Sequence, residues 1–202
     1  MQQPIIVWDF DGVLNANVID GRFVWADRLQ QDWGIDRTAL VAHLFHRDRI
    51  GRIMRGQIDL RDELQFWLTD VGHNIDADVF LAYWFANDAL PDAKVVCHLE
   101  RSDATHVIGT NNEARRAAYI ERDMGFGSLV SHIFASGRMG HAKPDTAYFR
   151  HIETWSGAPA HAHVLVDDTQ ANVKAACALG WQGFHFTNET RDGLPAFLDQ
   201  LG

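Results

Sequence analysis

Ile5-Ile6-Val7-Trp8-Asp9-Phe10-Asp11-Gly12 is the stretch from which the rest of the chain can be read. Four consecutive large apolar residues without alternation suit a strand covered on both faces, as in a parallel sheet between two helical layers. Asp9 and Asp11 stop the run, and ionised carboxylates at the end of a buried strand are costly unless they hold a cation or take part in chemistry. A spacing of two aims both side chains to one side where strand geometry continues, and Gly12 permits a sharp exit. Taken alone, this string is equally compatible with a loop capped by two acids. A calcium loop of the EF-hand type does not fit, because Val13 and Leu14 fall where that loop needs an oxygen ligand and a glycine.

Working outward, short apolar runs return as His106-Val107-Ile108-Gly109, His132-Ile133-Phe134-Ala135, Val164-Leu165-Val166 and Gly183-Phe184-His185-Phe186, each followed by polar or Gly-rich residues. Between them Ala114, Ala117 and Ala118 recur at helical spacing before Gly125, and Val173, Ala176 and Cys177 do so before Gly180. Strands alternating with helices predict an α/β fold with a doubly wound parallel sheet, whose ligand crevice lies beyond the carboxyl ends of the strands. Asp9, Thr110, Ser136 and Asp167 all stand directly after, or close, a predicted strand. The stretch between carries no such run and reads as helix throughout, over 22–33, 37–45 and 77–86. A further helix is capped by Asp59, with Leu60, Leu64, Trp67, Leu68 and Val71 on its apolar face. The expected organisation is an α/β core of 1–14 and 92–202 with a helical insertion, 15–91, hung over the crevice as a lid.

The 202 residues suffice for one α/β core with a small insertion and not for two full independent domains. Asp plus Glu number 27 against 18 Lys plus Arg, a formal charge of −9, which argues against a general nucleic-acid or membrane-surface binder. Any anionic substrate must then be attracted locally. No apolar run approaches the roughly 20 residues that span a bilayer, and Met1-Gln2-Gln3-Pro4 lacks a basic region ahead of an apolar stretch, so a cytoplasmic protein is expected. Cys97 and Cys177 read as reduced packing residues, and Trp25, Trp33, Trp67 and Trp84 as packing within the insertion. His43 with His46, and His161 with His163, lack a third ligand at metal-site spacing.

A second acidic pair, Asp167-Asp168, closes the run Val164-Leu165-Val166. Two carboxylate groups meeting at the top of one sheet would repel, by roughly 4 kcal/mol for unit charges about 4 Å apart at an effective dielectric of about 20. A hard divalent cation reverses that sign, so Mg²⁺ is expected between Asp9, Asp168 and the backbone carbonyl of Asp11, with Asp167 as an acceptor behind them. Gly109-Thr110-Asn111-Asn112-Glu113 opens a helix and offers a hydroxyl, an amide and free backbone N–H groups to an anion, although Thr or Asn there also suits a simple N-cap. Lys is scarce, with only Lys94, Lys143 and Lys174, and Lys143 is expected to be fixed by Pro144 at a helix N1 position.

In chain order these pieces resemble the haloacid dehalogenase-like hydrolase superfamily. Asp9, Asp11 and Gly12 match its first motif, Thr110 and Asn111 its second, Lys143 with Pro144-Asp145 its third, and Asp167-Asp168, followed by Asn172, its fourth. The resemblance covers the core, and the inserted helices look like that family's cap. It implies that Asp9 attacks phosphorus to form an aspartyl phosphate, and that Asp11 protonates the leaving oxygen and later deprotonates the water. Mg²⁺ and Lys143 would balance the phosphoryl charge, while Thr110 and the amide of Asn111 orient its oxygens. The family's dehalogenases keep no acid at the position of Asp11, so its presence favours a phosphatase acting on a small phosphorylated metabolite. The alternatives are a sugar phosphomutase, a dehalogenase-like member or a catalytically silent binder. A receiver-type phosphoacceptor module is disfavoured, since its paired acids precede the phosphorylated Asp and no helical lid follows its first strand.

Overall fold

The computed structural model describes residues 3–19, 21–101 and 104–201, so the Met1-Gln2 start lies outside the described residues. The chain begins with strand β1 (Ile5–Trp8) and an antiparallel ribbon of β2 (Val18–Ile19) and β3 (Arg22–Phe23). Helices α1 (Leu29–Trp33), α2 (Arg37–Phe45), α3 (Arg49–Met54), α4 (Leu60–Asp70), α5 (Ala77–Asn87) and α6 (Ala93–Arg101) follow. The remainder alternates: β4 (Thr105–Thr110), α7 (Ala114–Arg122), β5 (His132–Ala135), the short α8 (Ser136–Met139), α9 (Thr146–Ser156), β6 (His163–Asp167), α10 (Gln170–Ala178), β7 (Gln182–His185) and α11 (Leu194–Asp199).

Five of the strands form one parallel sheet in the order β5-β4-β1-β6-β7, as the unalternating apolar runs predict. Successive residues of β1 point to opposite faces: Ile6 and Trp8 pack with Ile108, Ile133 and Val166, while Ile5 and Val7 pack with Val107, Phe134 and Leu165. All four are buried, which is why none of them is polar. Trp8 pairs with Ile108 on one side and Val166 on the other, so Asp9 emerges beside the carboxyl ends of β4 and β6. From β1 the chain order runs outward in both directions along the sheet. The switch between β1 and β6 opens a crevice at their carboxyl ends.

The segment between β1 and α6 has a hydrophobic cluster of its own, built on residues such as Leu29, Leu40, Leu64 and Phe80. Asp59 caps α4, accepting from the N–H groups of Arg61 and Asp62, and Leu60, Leu64, Trp67 and Leu68 are buried beneath it as expected. Val71 is not: it sits at the C-cap, where the helical stripe has ended, and is 44% exposed. Residues 22–33 are not one helix either. Gly21 takes a left-handed φ of 70° and Arg22–Phe23 turns back to pair with Val18–Ile19, leaving α-helix only from Leu29. Cys177 is exposed and Cys97 half-buried, so neither is the core packing residue its neighbours suggest. Among the described residues no helix is long and apolar enough to cross a membrane.

Candidate active site

Asp9 ends β1 with its backbone N–H donating to the carbonyl of Val166, which ties it to the neighbouring strand. Its Oδ1 accepts from the N–H of Phe10 at 2.7 Å and lies 2.9 Å from Lys143 Nζ. Among the described residues nothing hydrogen-bonds to Oδ2, which leaves that oxygen available. Burial, then the charge of Asp167, push the Asp9 carboxyl well above its ordinary range, against the opposing pull of Lys143.

Lys143 is fully buried, with Nζ 2.6 Å from Asp167 Oδ2. Burial alone would lower its pKa, yet Asp167 and Asp9 together hold it protonated, well above the usual lysine value. Its position is not set by Pro144 at the start of a helix. Helix α9 begins at Thr146 with Asp145 as N-cap, so Pro144 precedes the cap. Asn111 does the fixing instead: its Oδ1 accepts from Lys143 N–H at 2.8 Å and its Nδ2 donates to Lys143 C=O at 2.9 Å.

Asp9, Asp167 and Asp168 each bring a carboxylate oxygen to within 4.8 Å of the others. The oxygens of Asp167 are already engaged, Oδ1 by the N–H of Thr169 and Asn172 Nδ2, Oδ2 by Lys143 and again Asn172. Asp168 is freer, accepting from its neighbour Thr169 at 3.2 Å. Burial, and next the charge of Asp167, raise its pKa. A Cβ on Gly12 would overlap the Asp168 carboxylate, so only glycine, here at φ 81°, lets the first loop and this acid approach. Among the described residues no hydrogen bond reaches the Asp11 carbonyl. Two carboxylates whose charges are disfavoured by burial, beside a carbonyl with a free lone pair, form a hard-oxygen donor set that fits Mg²⁺.

The Asp11 side chain is not in that acidic trio. Its Oδ1 accepts from Asn17 Nδ2 at 2.7 Å and Asn15 Nδ2 at 3.4 Å, and its Oδ2 from Asn112 Nδ2 at 2.7 Å. Asn112 also donates to Thr110 Oγ1 at 2.8 Å, so the second strand end is coupled to the first loop through one amide. At the start of α7 Glu113 is the N-cap and takes the N–H groups of Arg115 and Arg116, so those two donors are not open to an anion.

Behind Asp11 lies a buried pair that has no local signature in the sequence. Asp88 accepts from Asn17 Nδ2 at 2.8 Å and pairs with Arg116 at 3.0 Å, and Arg116 also donates to the carbonyls of Phe85 and Asp88. Burial, with the Asp11 charge second, pushes Asp88 up to about 7. Because its folded pKa lies above the unfolded value, folding stability from this group is present at low pH and lost as pH rises from about 4 to 7. Urea melts over that window should therefore show a decline that Asp88→Asn flattens. An unchanged slope in the variant would remove Asp88 as its source.

A sequence profile of the haloacid dehalogenase-like hydrolases matches residues 4–180. The chain belongs to that family. The fold agrees: a structure described as a predicted hydrolase of this family from Porphyromonas gingivalis superposes with a TM-score of 0.76 at 17% identity, covering 98% of each chain. Another, the family enzyme bt-2542 of Bacteroides thetaiotaomicron in complex with magnesium and inorganic phosphate, gives 0.72 at 16% identity over 92% of this chain and 95% of that one. Among curated proteins, a sesquiterpene phosphatase, astK, of Aspergillus oryzae is 38% identical over 60 residues, 30% of this chain. A drimenol cyclase, drtB, of Aspergillus calidoustus is likewise 38% identical, over 69 residues or 33% of this chain, and the matched stretches span only 13% of drtB and 31% of astK.

Proposed function

We propose that this hydrolase cleaves phosphomonoesters with Mg²⁺, passing the phosphoryl group through Asp9. The observation that carries the reading is the convergence of Asp9, Asp168 and Lys143 at the switch between β1 and β6, with Asp11 held beside them by three asparagines. The names of the relatives agree with it, one being a phosphatase and another having been crystallised with magnesium and phosphate.

Asp9, Asp168 and the Asp11 carbonyl would hold Mg²⁺, which when bound supplies positive charge against the phosphoryl oxygens. The Asp9 carboxylate attacks phosphorus, the bond to the ester oxygen breaks, and Asp11 delivers its proton to that oxygen. Water then attacks the aspartyl phosphate, losing a proton to Asp11, and inorganic phosphate leaves with Asp9 restored. Lys143 offsets charge beside Asp9, while Asn111 acts by holding the Lys143 backbone. Thr110 orients the phosphoryl group with its hydroxyl hydrogen, since its oxygen already accepts from Asn112.

In this reading residues 15–91 cap a core of 1–14 and 92–202. Arg55 pairs with Asp145 at 3.2 Å, Arg115 with Asp59 at 3.2 Å, and Ser136 Oγ donates to the carbonyl of Met54 at 2.5 Å, all across that seam. A backbone contact accompanies them, since a Cβ on Gly56 would overlap the carbonyl of Gly137.

Phosphate release from p-nitrophenyl phosphate is expected with Mg²⁺ and should vanish in excess EDTA; full activity in the chelator would refute the metal requirement. Asp11→Asn is expected to lower kcat by about 10²- to 10⁴-fold for alkyl phosphates and far less for aryl phosphates with good leaving groups. Equal losses across a leaving-group series would remove Asp11 from the acid role.

A further inference from the structure

A cavity of about 450 Å³ runs from Asp11 and Asn112 into the segment between β1 and α6, within the roughly 300–1,000 Å³ of small-molecule sites. Its walls away from Asp11 are mostly apolar, including Trp25, Leu40, Leu44, Met54, Trp84 and Phe85. Trp25 and Trp84, which the sequence suggests are only packing, stack on each other at 4.1 Å and present their edge of the cluster to this space. Three of its other residues, Phe23, Val41 and Phe45, are 45%, 42% and 63% exposed, so apolar surface continues to the rim. Exposed apolar residues grouped at the mouth of an apolar cavity suit a ligand with an apolar body. A sugar or amino-acid phosphate would leave its hydroxyl or ammonium groups against these walls without hydrogen bonds, which is costly.

We propose that the substrate is the phosphate monoester of an apolar alcohol, with its hydrocarbon body in this cavity and its ester oxygen at Asp11. This rests on the phosphomonoesterase reading above and narrows it to one substrate class. The cavity is continuous with the proposed acid, so a body lying in it delivers the leaving oxygen to the residue that protonates it. Of the charged residues in the wall away from Asp11, Asp88 and Arg116 are paired with each other and Glu113 caps α7, whereas Arg37 Nε is buried without a hydrogen-bond partner among the described residues. An oxygen acceptor carried on the hydrocarbon body pairs with that donor, so the best substrates are apolar alcohols bearing one such oxygen.

The test is kcat/KM with Mg²⁺ for methyl, butyl, hexyl, octyl and decyl phosphate, kept below their micelle-forming concentrations, beside glucose 6-phosphate and 3-phosphoglycerate. If the chain is buried, kcat/KM rises about threefold to fourfold per added methylene until the cavity is filled. Val41→Trp, which narrows the cavity at a half-open position, should then reduce the decyl-to-methyl ratio at least tenfold. A flat series, or polar phosphates matching decyl phosphate, overturns the substrate class while leaving the phosphatase reading standing. Hydrolysis of none of these compounds, nor of p-nitrophenyl phosphate, overturns the phosphatase reading itself.

Discussion

Asp9→Asn is expected to abolish turnover, with kcat falling on the order of 10⁴-fold or more, because the amide is a poor nucleophile toward phosphorus. The fold should survive. Burial and the charge of Asp167 already disfavour the Asp9 carboxylate, so removing that charge relieves the metal-free protein while keeping the side chain's shape. Without Mg²⁺ the variant should melt at the same temperature as the parent or higher. The rise in melting temperature that Mg²⁺ gives the parent should be largely lost in the variant, since one of its proposed ligands has become neutral. Turnover above about a hundredth of the parent's rate would take Asp9 out of the nucleophile role.

Lys143→Met should be the most destabilising single change at the site. The ammonium lies between Asp9 Oδ1 and Asp167 Oδ2 with no exposed side-chain surface, and methionine keeps much of the stem but leaves two buried carboxylates facing each other. Breaking a buried ion pair by removing one partner costs about 3–5 kcal/mol. Urea denaturation at neutral pH without Mg²⁺ reads this directly. Adding Asp167→Asn to the variant should recover a large part of the loss, because the residual repulsion disappears. A single-variant loss below about 1 kcal/mol would mean that water, rather than Lys143, screens the pair. Activity should fall in both variants, since the charge beside Asp9 is gone.

The core was legible because a buried parallel strand leaves a plain trace. Ile5-Ile6-Val7-Trp8 and Val164-Leu165-Val166 can afford no polar residue, and the acids that follow them stand out. The pairing of Asp9 and Asp168 follows from topology alone, since β1 and β6 are neighbours at the switch point. What the sequence hides is how each acid is held. Asn17 and Asp88 are 71 residues apart, and the contact between Asp88 and Arg116 joins two elements that no spacing relates. Asn111 and Glu113 lay within a stretch already singled out, but the Asn111 amide turns to the backbone of Lys143 and the Glu113 carboxyl to that of α7. All four tryptophans pack in the cluster between β1 and α6 as expected, but packing residues and pocket walls share one chemistry, and only the tertiary arrangement shows that Trp25 and Trp84 also line a cavity. The ribbon of β2 and β3 escaped for want of length, as two residues per strand carry no period.

The central claim is that phosphorus becomes covalently attached to Asp9, and trapping that bond tests it most directly. The protein should be mixed with Mg²⁺ and p-nitrophenyl phosphate, treated with borohydride during turnover and digested, and the peptide containing Ile5-Ile6-Val7-Trp8-Asp9 analysed by mass spectrometry. Reduction of an acyl phosphate converts the Asp9 side chain to that of homoserine, and this should occur only with substrate present and not in Asp9→Asn. Continued turnover with position 9 unmodified and another residue reduced would contradict the account.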